Sequence, residues 1–561
     1  MNDSSARVEA DHPSAGLVPL VIGVTGHRNL DPADYPLYGA RIAELLDYLR
    51  THYPATPLRM VSALAEGADR LAAEVGLAHG CELLVCLPME ATEYERDFPE
   101  TVEEFRGLLG RIPPENVFVL EPSVPAGTTP ADLRELCYRE VGLYVSGRCH
   151  ILLALWDGVR NESFAGTAEV VRFKLEGRTH TATRGLDVDY DGPVYWVHTR
   201  RTSSAASTVN VDVPGKWVYP KEANPELLRT VCLRIDRFNA EAVHIRNSAA
   251  VAESAASLVP GLGERPSADR AMAATFACAD VLARRHQRVT HWVLRWVLSL
   301  AVGLALTFEV YSEIWAVRAM PELYLGIFTA IVLLYLWQRK QDAQGRYLDY
   351  RALAEGLRVQ FYWRLAGLAD NVSASYLRKQ LDELRWIREA LRGTNVLPPP
   401  LKPRPDLVLA HWVRGQADYF RNRAKRQMTR IHHLEVLSSI SLLVGLTATA
   451  SLVVFWHRLE SMGKWHHWIV LTMGFAPIAA ALWETYGERF GLRSQAHQYA
   501  RFATVFGRAE KVISHLEDAP SAPHRAHSER SLIRELGREA LMESGDWVLL
   551  LRERPIVLPK G

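Results

Sequence analysis

The sequence predicts an α/β Rossmann-like domain with a parallel sheet, followed by an α-helical membrane domain with four transmembrane helices in two duplicated hairpins. Two observations indicate this fold class. Over residues 17–198, the β-rich runs LVPLVIGVT, LRMVSAL, ELLVCLP, NVFVL, HILLALWDG and VYWVHT alternate with helical patterns. Such alternation is typical of parallel strands joined by crossover helices. In the second half, four long apolar runs are paired by short loops, as in membrane hairpins.

Composition limits the remaining possibilities. The chain has 561 residues, and a single core stops growing at roughly 250 to 300 residues, so we expect several domains. The 65 Lys and Arg residues balance 64 Asp and Glu residues, so no global charge attracts nucleic acid directly. The six cysteines lack metal-ligand spacing and indicate reduced cytosolic thiols. The first 20 residues lack the pattern of a secretory signal peptide.

The apolar runs cover residues 296–308, 323–337, 436–456 and 468–483. A spanning helix needs about 20 mainly apolar residues, so we predict transmembrane segments at about 292–312, 321–338, 435–456 and 465–484. Only the third run is long enough by itself, but Trp and Tyr residues near the ends of the others suit membrane interfaces. Buried helices of a large soluble domain are the alternative.

Basic residues indicate the orientation of the spans. They gather before the first span, after the second and before the third: Arg284, Arg285, Arg288, Arg339, Lys340, Arg346, Arg421, Arg423, Lys425, Arg426 and Arg430. The loop at 309–322 carries three acids and one arginine. Because Lys and Arg favour the cytoplasmic side, we predict a multi-pass protein with both termini in the cytoplasm.

The two hairpins resemble each other. Similar residues recur in the two hairpins at offsets of 142, 146 and 149 residues, and the last offset relates Tyr350 to Tyr499. This recurrence indicates duplication. We therefore expect a flexible N-terminus at 1–16, a nucleotide-binding domain at 17–245, a linker at 246–269, a first membrane unit at 270–396, a Pro-rich linker at 397–405 and a second membrane unit at 406–556.

The third and fourth spans contain residues that affect helix packing. Ser441, Gly445 and Thr449 recur every four residues and form a small-residue stripe, which lets helices approach closely in lipid. Packing within one subunit is the first interpretation of this stripe, and a subunit interface or pore wall is the second. Pro477 should kink the fourth span or act as a hinge, unless it is simply tolerated.

Two acids lie near the far end of the first span. Glu309 and Glu313 are four residues apart and therefore share one helix face. In a homo-oligomer they would form acidic rings that favour cations. Solvated acids at the membrane interface are the alternative.

Three predicted strand ends carry groups suited to a phosphate. They contribute, in order, Gly23, Thr25, Gly26, His27 and Arg28; Glu66, Gly67, Asp69 and Arg70; and Asp157, Gly158, Gly166, Thr167 and Glu169. Glycine allows close backbone approach, while helix starts, hydroxyls and guanidinium groups bind phosphate oxygens. Each motif alone is ordinary turn chemistry, but carboxyl ends of parallel strands share one edge. Together they predict a ligand site without a metal.

The stretches GVTGHR, ALAEGADRLAA and LALWDG with AGTAEVV resemble the SLOG domain. This Rossmann-like nucleotide-binding group includes DNA-processing protein A, the LOG cytokinin-activating hydrolases and the amino-terminal region of TRPM channels. The resemblance covers residues 17–245. Residues 270–556, with YRALAEGLR, WVRGQADYF and LGREALMESGDWVLLLRERP, resemble SLATT modules, two-helix membrane effectors of bacterial conflict systems.

These resemblances imply a sensor for a nucleotide second messenger coupled to a pore-forming effector. The expected ligand is a cyclic nucleotide or a compound derived from ADP-ribose or NAD, and no other cofactor is expected. The expected partners are the lipid bilayer and further copies of the chain. The expected setting is anti-phage defence, by abortive infection, at the bacterial inner membrane.

The LOG hydrolases carry a PGGxGTxxE motif, whose glutamate acts with an arginine on a glycosidic bond. Here SFAGTAEVV retains Gly166 and Thr167 but lacks PGG, and Glu169 comes one residue early, which rotates a helical side chain by about 100°. The resemblance therefore favours binding without catalysis, with Glu169 and Glu66 as weak catalytic candidates. A membrane-tethered nucleotide hydrolase, or a scaffold that recruits a partner through amphipathic helices, remains an alternative.

Overall fold

The computed structural model describes residues 14–122, 124, 129–159, 166–177, 191–202, 211–221, 224–376, 384–397, 402–461, 463–517 and 522–552. Most of the predicted flexible start lies outside these residues. The chain forms two compact units. The sheet unit comprises Met1–Val281, Ala352–Pro405 and Ile533–Met542, and the span unit comprises Leu282–Arg351, Asp406–Leu532 and Glu543–Gly561.

The sheet unit is built on seven strands. They are β1 Leu20–Gly26, β2 Leu58–Ser62, β3 Glu82–Leu87, β4 Val117–Val119, β5 Ile151–Trp156, β6 Val194–His198 and β7 Lys216–Val218. Their order is β4-β3-β2-β1-β5-β6-β7; β1 to β6 are parallel, and β7 is antiparallel to β6. The predicted fold class is confirmed. Each of the six β-rich runs forms a strand, whereas the short edge strand β7 was not predicted.

Helices cover both faces of the sheet. They are α1 Tyr35–His52, α2 Ala68–Ala78, α3 Ala91–Tyr94, α4 Val102–Leu109, α5 Pro130–Arg148, α6 Thr167–Glu176, α7 Pro225–Val243 and α8 Ala249–Ala256. One apolar core joins α1, α2 and α4 to the sheet, and a second joins α5 and α6 to the opposite face. Because both faces are covered, the central strands are continuously apolar rather than alternating.

The remaining helices are α9 Ser267–Glu313, α10 Ala319–Gln341, α11 Ala343–Leu365, α12 Val372–Ser375, α13 Arg385–Thr394, α14 Pro405–Leu407, α15 Gly415–Ser461, α16 Lys464–Arg489, α17 Leu492–Glu517 and α18 Ala522–Arg552. A π-helix, Val408–Arg414, precedes α15. Four segments, within α9, α10, α15 and α16, are long and apolar enough to cross a membrane. Between 6% and 17% of their most apolar windows is buried, so these helices expose apolar surfaces that suit lipid.

A residue in the left-handed backbone conformation follows the second helix of each hairpin. Asp342, between α10 and α11, and Gly491, between α16 and α17, have positive φ angles of 47° and 61°. They lie 149 residues apart, the same offset as the tyrosines that follow them. The N–H of Arg346 donates to Asp342 O at 3.0 Å, and the N–H of Gln495 donates to Gly491 O at 2.9 Å. The repeated geometry supports duplication of one ancestral hairpin.

Helix α13 follows the first hairpin in sequence but belongs to the sheet unit. It packs at the amino ends of the strands, where His150 lies just before β5. The Val21 N–H donates to His150 Nδ1 at 2.8 Å, and His150 Nε2 lies 2.8 Å from Glu389 O. Arg59 and Arg148 donate to the carbonyls of Val396 and Asn395, each at 3.0 Å. Chain segments that flank the spans are thus held within the sheet unit.

Candidate ligand-binding site

The carboxyl ends of β1 and β5 lie side by side where the strand order reverses. β2 pairs with one side of β1 and β5 with the other, and the following helices cover opposite faces of the sheet. In such sheets the usual ligand position is the crevice outside the strand ends at this point. Gly26 ends β1 beside Leu155, and Asp157 follows β5. The first and third predicted strand ends therefore meet.

Gly26 and Gly67 allow three chain segments to approach closely. A methyl group at Gly26 would overlap Ala68 Cβ at the start of α2. Gly67 has a φ of 78°, and a methyl group there would overlap the carbonyls of His27 and Arg28. Glycine at position 67 is therefore required both by backbone conformation and by space. These contacts fix the backbone after β1 against the start of α2.

His27, Asp157 and Arg201 form a polar cluster at this edge, in which His27 is buried and the other two are partly exposed. The Asp157 N–H and Arg201 Nη2 lie 3.2 Å and 3.1 Å from His27 Nε2. Asp157 Oδ1 also lies 3.0 Å from Nε2, so this nitrogen is in contact with two donors and one carboxylate oxygen. Burial lowers the pKa of His27, against the opposing influence of Asp157. The ring is consequently a fixed, uncharged part of the crevice wall.

The Asp157 carboxylate is held in its charged form. Burial acts to raise the pKa of Asp157, but the Val159 N–H, His27 and Arg201 together bring it below its usual value. Arg201 Nε lies 2.9 Å from Asp157 Oδ2, and the Val159 N–H donates to Oδ1 at 3.0 Å. Asp157 therefore positions His27 and Arg201, and its own charge is already balanced.

Arg28 is the exposed cation of the site. Its guanidinium carbon lies 4.8 Å from the centre of the Tyr138 ring on α5. Among the described residues, no carboxylate lies within ion-pair distance of Arg28. Thr25, by contrast, is buried within β1. Gly23 packs on Val145 of α5 and on Cys149, which follows that helix. Of the first motif, Arg28 alone offers an uncommitted charge to a ligand.

The second motif mainly stabilises the fold. Asp69 accepts hydrogen bonds from Ser62 Oγ and the Ala63 N–H, both at 3.1 Å, so it orders the loop before α2. Arg70 is buried and donates to Leu64 O and to Thr101 O. Glu66 is half-buried and accepts from Thr101 Oγ1 at 2.9 Å. These polar groups already have partners inside the protein.

Glu169 lies inside the third motif, in the first turn of α6. Its side chain is 10% exposed, and its Oε1 is 3.7 Å from Arg139 Nε and 3.6 Å from Arg172 Nη2. Its Oε2 is buried and has no hydrogen-bond partner among the described residues. Helix α6 begins at Thr167, and its N-cap residue, Gly166, has no side chain that could accept from the first turn. Residues 163–165, which precede them in the motif, lie outside the described residues.

Two tyrosine hydroxyls near Arg28 and α5 are also buried without a partner in the described part of the chain. They belong to Tyr94 and Tyr138, whose ring centroids are 6.1 Å apart. Buried polar atoms without partners are rare in native proteins and mark places where water or a ligand binds. With Glu169 Oε2, these two hydroxyls make three buried polar atoms at this edge of the sheet that have no hydrogen-bond partner among the described residues.

Gly158 turns the chain after β5. Its φ is 83°, and a methyl group there would lie 3.0 Å from the Trp196 ring. Trp156 and Trp196 contact each other with ring centroids 5.4 Å apart, and His198 stacks on Trp196 at 3.9 Å. Gly158 thus leaves room for an aromatic cluster beside the end of β5.

The small-residue stripe of α15 faces α16 at its centre. A methyl group at Gly445 would lie 3.2 Å from Ala476 and 3.4 Å from Pro477, which supports packing within one subunit. The hydroxyls of Ser441 and Thr449 donate to carbonyls of their own helix. Helix α16 continues through Pro477. A methyl group at Gly474 of α16 would lie 2.9 Å from Glu309 Oε1, whereas Glu313 lies one turn further along α9.

Sequence reasoning missed Arg201, Arg139 and Tyr138. Arg201 follows β6 directly, in VYWVHTRR, and its position at a strand end could have indicated it. Arg139 and Tyr138 lie in the middle of α5 and belong to no motif. Among the described residues, no group of three His, Cys, Asp or Glu side chains could hold a metal ion.

Comparisons with known protein families, with curated proteins and with solved structures find no match for this chain.

Proposed function

We propose that this chain is a ligand-gated membrane effector. Its sheet unit binds a phosphorylated, nucleotide-derived ligand at the carboxyl ends of β1 and β5, and its four spans then permit leakage across the membrane. The observation that carries the proposal is the exposed Arg28, which lies against the Tyr138 ring, whose buried hydroxyl has no partner among the described residues. A cationic and polar site of this kind favours binding of an anion.

The chemistry of the crevice favours phosphate. Arg28 supplies a charge that the described residues do not neutralise, and the first-turn amides of α6 at Gly166 and Thr167 form an anion-binding helix start. Trp156 ends β5 and contacts Trp196 of the neighbouring strand β6, and such an aromatic surface suits a nucleobase. A cyclic nucleotide or an ADP-ribose derivative has both parts.

Ligand binding can be coupled to the spans because chain segments between the spans belong to the sheet unit. Helix α13 and the end of α11, which lie between the second and third spans, belong to the sheet unit. A ligand that changes the packing of the sheet unit therefore acts on segments covalently joined to the spans. Shifting a two-state balance from 1:99 to 99:1 takes about 5.5 kcal/mol, which several phosphate contacts in each subunit of a homo-oligomer can supply.

We place both termini in the cytoplasm of a bacterium and the spans in its inner membrane. The distribution of Lys and Arg supports this orientation. The resemblance to effectors of conflict systems supports a role in anti-phage defence.

Equilibrium binding tests the site. Full-length protein in detergent is titrated with labelled cyclic dinucleotides and with labelled ADP-ribose, and Arg28→Ala is compared with Arg111→Ala, an exposed arginine before β4. Losing a charge-assisted contact of about 1.5 to 3 kcal/mol weakens binding by about 10-fold to 150-fold in Arg28→Ala alone. Equal affinity in the two variants would remove Arg28 from the site, and no binding by any probe would reject the ligand class.

The second candidate function is nucleotide hydrolysis. It is favoured by the buried Glu169 carboxylate, which lies beside Arg139 and has one oxygen without a partner. In that case the bound nucleotide is consumed, and Glu169→Gln abolishes product formation while binding persists. Chromatography of each probe after incubation with the full-length protein separates the two functions, because a sensor returns its ligand unchanged.

A further inference from the structure

One face of α18 carries a row of exposed acidic side chains. The helix buries the face that contains Ile533 and Leu536. The opposite face is exposed at positions three or four residues apart: Glu535, Glu539, Met542 and Asp546. Residues at this spacing share one face of a helix, and this row is termed the acidic stripe. Among the described residues, no cation lies within ion-pair distance of Glu535 or Glu539.

A groove of opposite charge lies between α15 and α17. Its charged lining residues are Arg414, Arg421, Arg508, Glu510 and Lys511. All four cations are exposed. Arg421 pairs with Asp418 at 2.7 Å, whereas no carboxylate in the described part of the chain lies within ion-pair distance of Arg508 or Lys511. The groove therefore has an excess of positive charge, and it is termed the basic groove.

Helices α17 and α18 are antiparallel neighbours. A methyl group at Gly491, just before α17, would lie 3.5 Å from Leu551 near the end of α18. Further along α17, Arg501 Nη1 lies 3.4 Å from Glu543 Oε1. Residue numbers thus rise along one helix as they fall along the other, and these two contacts fix the register of the pair.

The acidic stripe and the basic groove lie at similar heights along this helix pair. Arg508 is seven residues after Arg501, and Glu535 is eight residues before Glu543. At a rise of about 1.5 Å per residue, these are distances of about 10 Å and about 12 Å in the same direction. Rotation about an axis parallel to the pair therefore brings the stripe of one copy level with the groove of another.

Apolar side chains accompany both surfaces. Met542 of the acidic stripe is 57% exposed, and Val512, four residues after Arg508, is 46% exposed. Exposed apolar side chains among charged ones favour contact with another protein over binding of a small anion. Since the chain carries both charge types on separate surfaces, a second copy supplies the complement of each.

We propose that the basic groove of one copy binds the acidic stripe of a second copy of this chain. The contact joins two different surfaces, so each copy binds two neighbours and further copies add around a rotation axis. Opposite charges select the partner surface and fix the direction of assembly. The proposal requires neither ligand binding nor leakage.

Charge reversal tests this contact in full-length protein in detergent, at low salt, where exposed charges are least screened. One variant reverses the groove, by Arg508→Glu with Lys511→Glu. The other reverses the stripe, by Glu535→Lys with Glu539→Lys. Each variant alone should self-associate at least about 10-fold more weakly than wild type, because like charges meet. A mixture of the two should assemble, since each surface then finds an opposite one.

Mass photometry reads the assembly state. The control, Arg111→Glu with Arg237→Glu, makes the same change of charge at exposed positions of the sheet unit and should assemble as wild type does. A monomeric wild type would leave the groove to a different acidic partner and overturn the proposal. Undiminished assembly of either reversed variant alone, or no assembly in the mixture, would overturn it as well.

Cross-linking of the unmodified chain requires no variant to fold. A carbodiimide joins a carboxylate to a nearby lysine amine with loss of water. Isotope-labelled and unlabelled chains are mixed in detergent, cross-linked and digested, and mass spectrometry identifies the joined peptides. We expect Lys511 joined to Glu535 or Glu539 in pairs that combine a labelled with an unlabelled chain. Links confined to single chains, or none at Lys511, would contradict the proposal.

Discussion

Protonation of His150 at low pH should weaken the packing of α13 on the strands of the sheet unit. The ring is 3% exposed, and both of its nitrogens are engaged. Because the Val21 N–H donates to Nδ1, that nitrogen must remain unprotonated, so Nε2 carries the proton and donates to Glu389 O. Burial lowers the pKa of His150 to about 4. A second proton would break the bond from Val21.

The expected loss of stability follows from this pKa. Histidine in the unfolded chain titrates near pH 6.5, and each pKa unit corresponds to about 1.4 kcal/mol. The native state binds the proton more weakly, so stability is complete above about pH 6.5 and falls by about 3 kcal/mol as the pH drops through about 4. Burial acts to raise the pKa of the Glu389 carboxyl, but Arg392 and other nearby cations hold it at about 2. The Glu389 charge therefore stays constant over this window.

Hydrogen–deuterium exchange of the full-length protein in detergent measures the effect. After correction for intrinsic exchange rates, residues 385–396 should lose protection between about pH 7 and about pH 4.5 in wild type. In His150→Gln the protection should vary little with pH, whereas His52→Gln, at an exposed position of α1, should behave as wild type. Constant protection in wild type, or an unchanged pH profile in His150→Gln, would refute the reasoning.

Three further predictions concern named backbone and buried positions. Gly67→Ala should cost on the order of 1 to 3 kcal/mol and lower the Tm in detergent; an unchanged Tm would contradict the close approach of β1 and α2. Burial raises the pKa of Asp69 to about 6. The contribution of Asp69 to the free energy of unfolding is therefore greatest at low pH, and about 3 kcal/mol of it is lost as the pH rises through about 6. Urea titrations should show this decrease in wild type and not in Asp69→Asn. Because both positions have a positive φ angle, Asp342→Gly should leave the Tm unchanged or raise it, and Gly491→Ala should destabilise the protein by about 1 kcal/mol and lower the Tm. A shift of the Tm in the same direction in both variants would contradict the left-handed conformation of these two residues.

The succession of strands and helices along the sheet unit could be predicted because strands that are buried on both faces appear in the sequence as continuous apolar runs. Each apolar run of the first 200 residues became a strand, since only apolar side chains fit between two helical layers. The edge strand β7 was missed because three residues that pair with one neighbour carry little pattern.

The candidate site was harder to predict than the fold. Position at a strand end correctly brought His27 and Asp157 together. The same argument could not tell that Asp69 and Arg70 turn into the protein, because the direction of a side chain depends on the loop that surrounds it. Arg139 reaches Glu169 from the middle of a helix, where no motif marks it. Contacts between distant segments, such as α13 with the strands, likewise leave no local signal.

A leak assay tests the central claim most directly. Full-length protein in dye-loaded liposomes is exposed to cyclic dinucleotides and to ADP-ribose, while nucleotide turnover is followed in the same samples. The account predicts dye release with at least one probe that remains chemically unchanged, lost in Arg28→Ala and retained in Arg111→Ala. Turnover without release, or equal release in both variants, would contradict it.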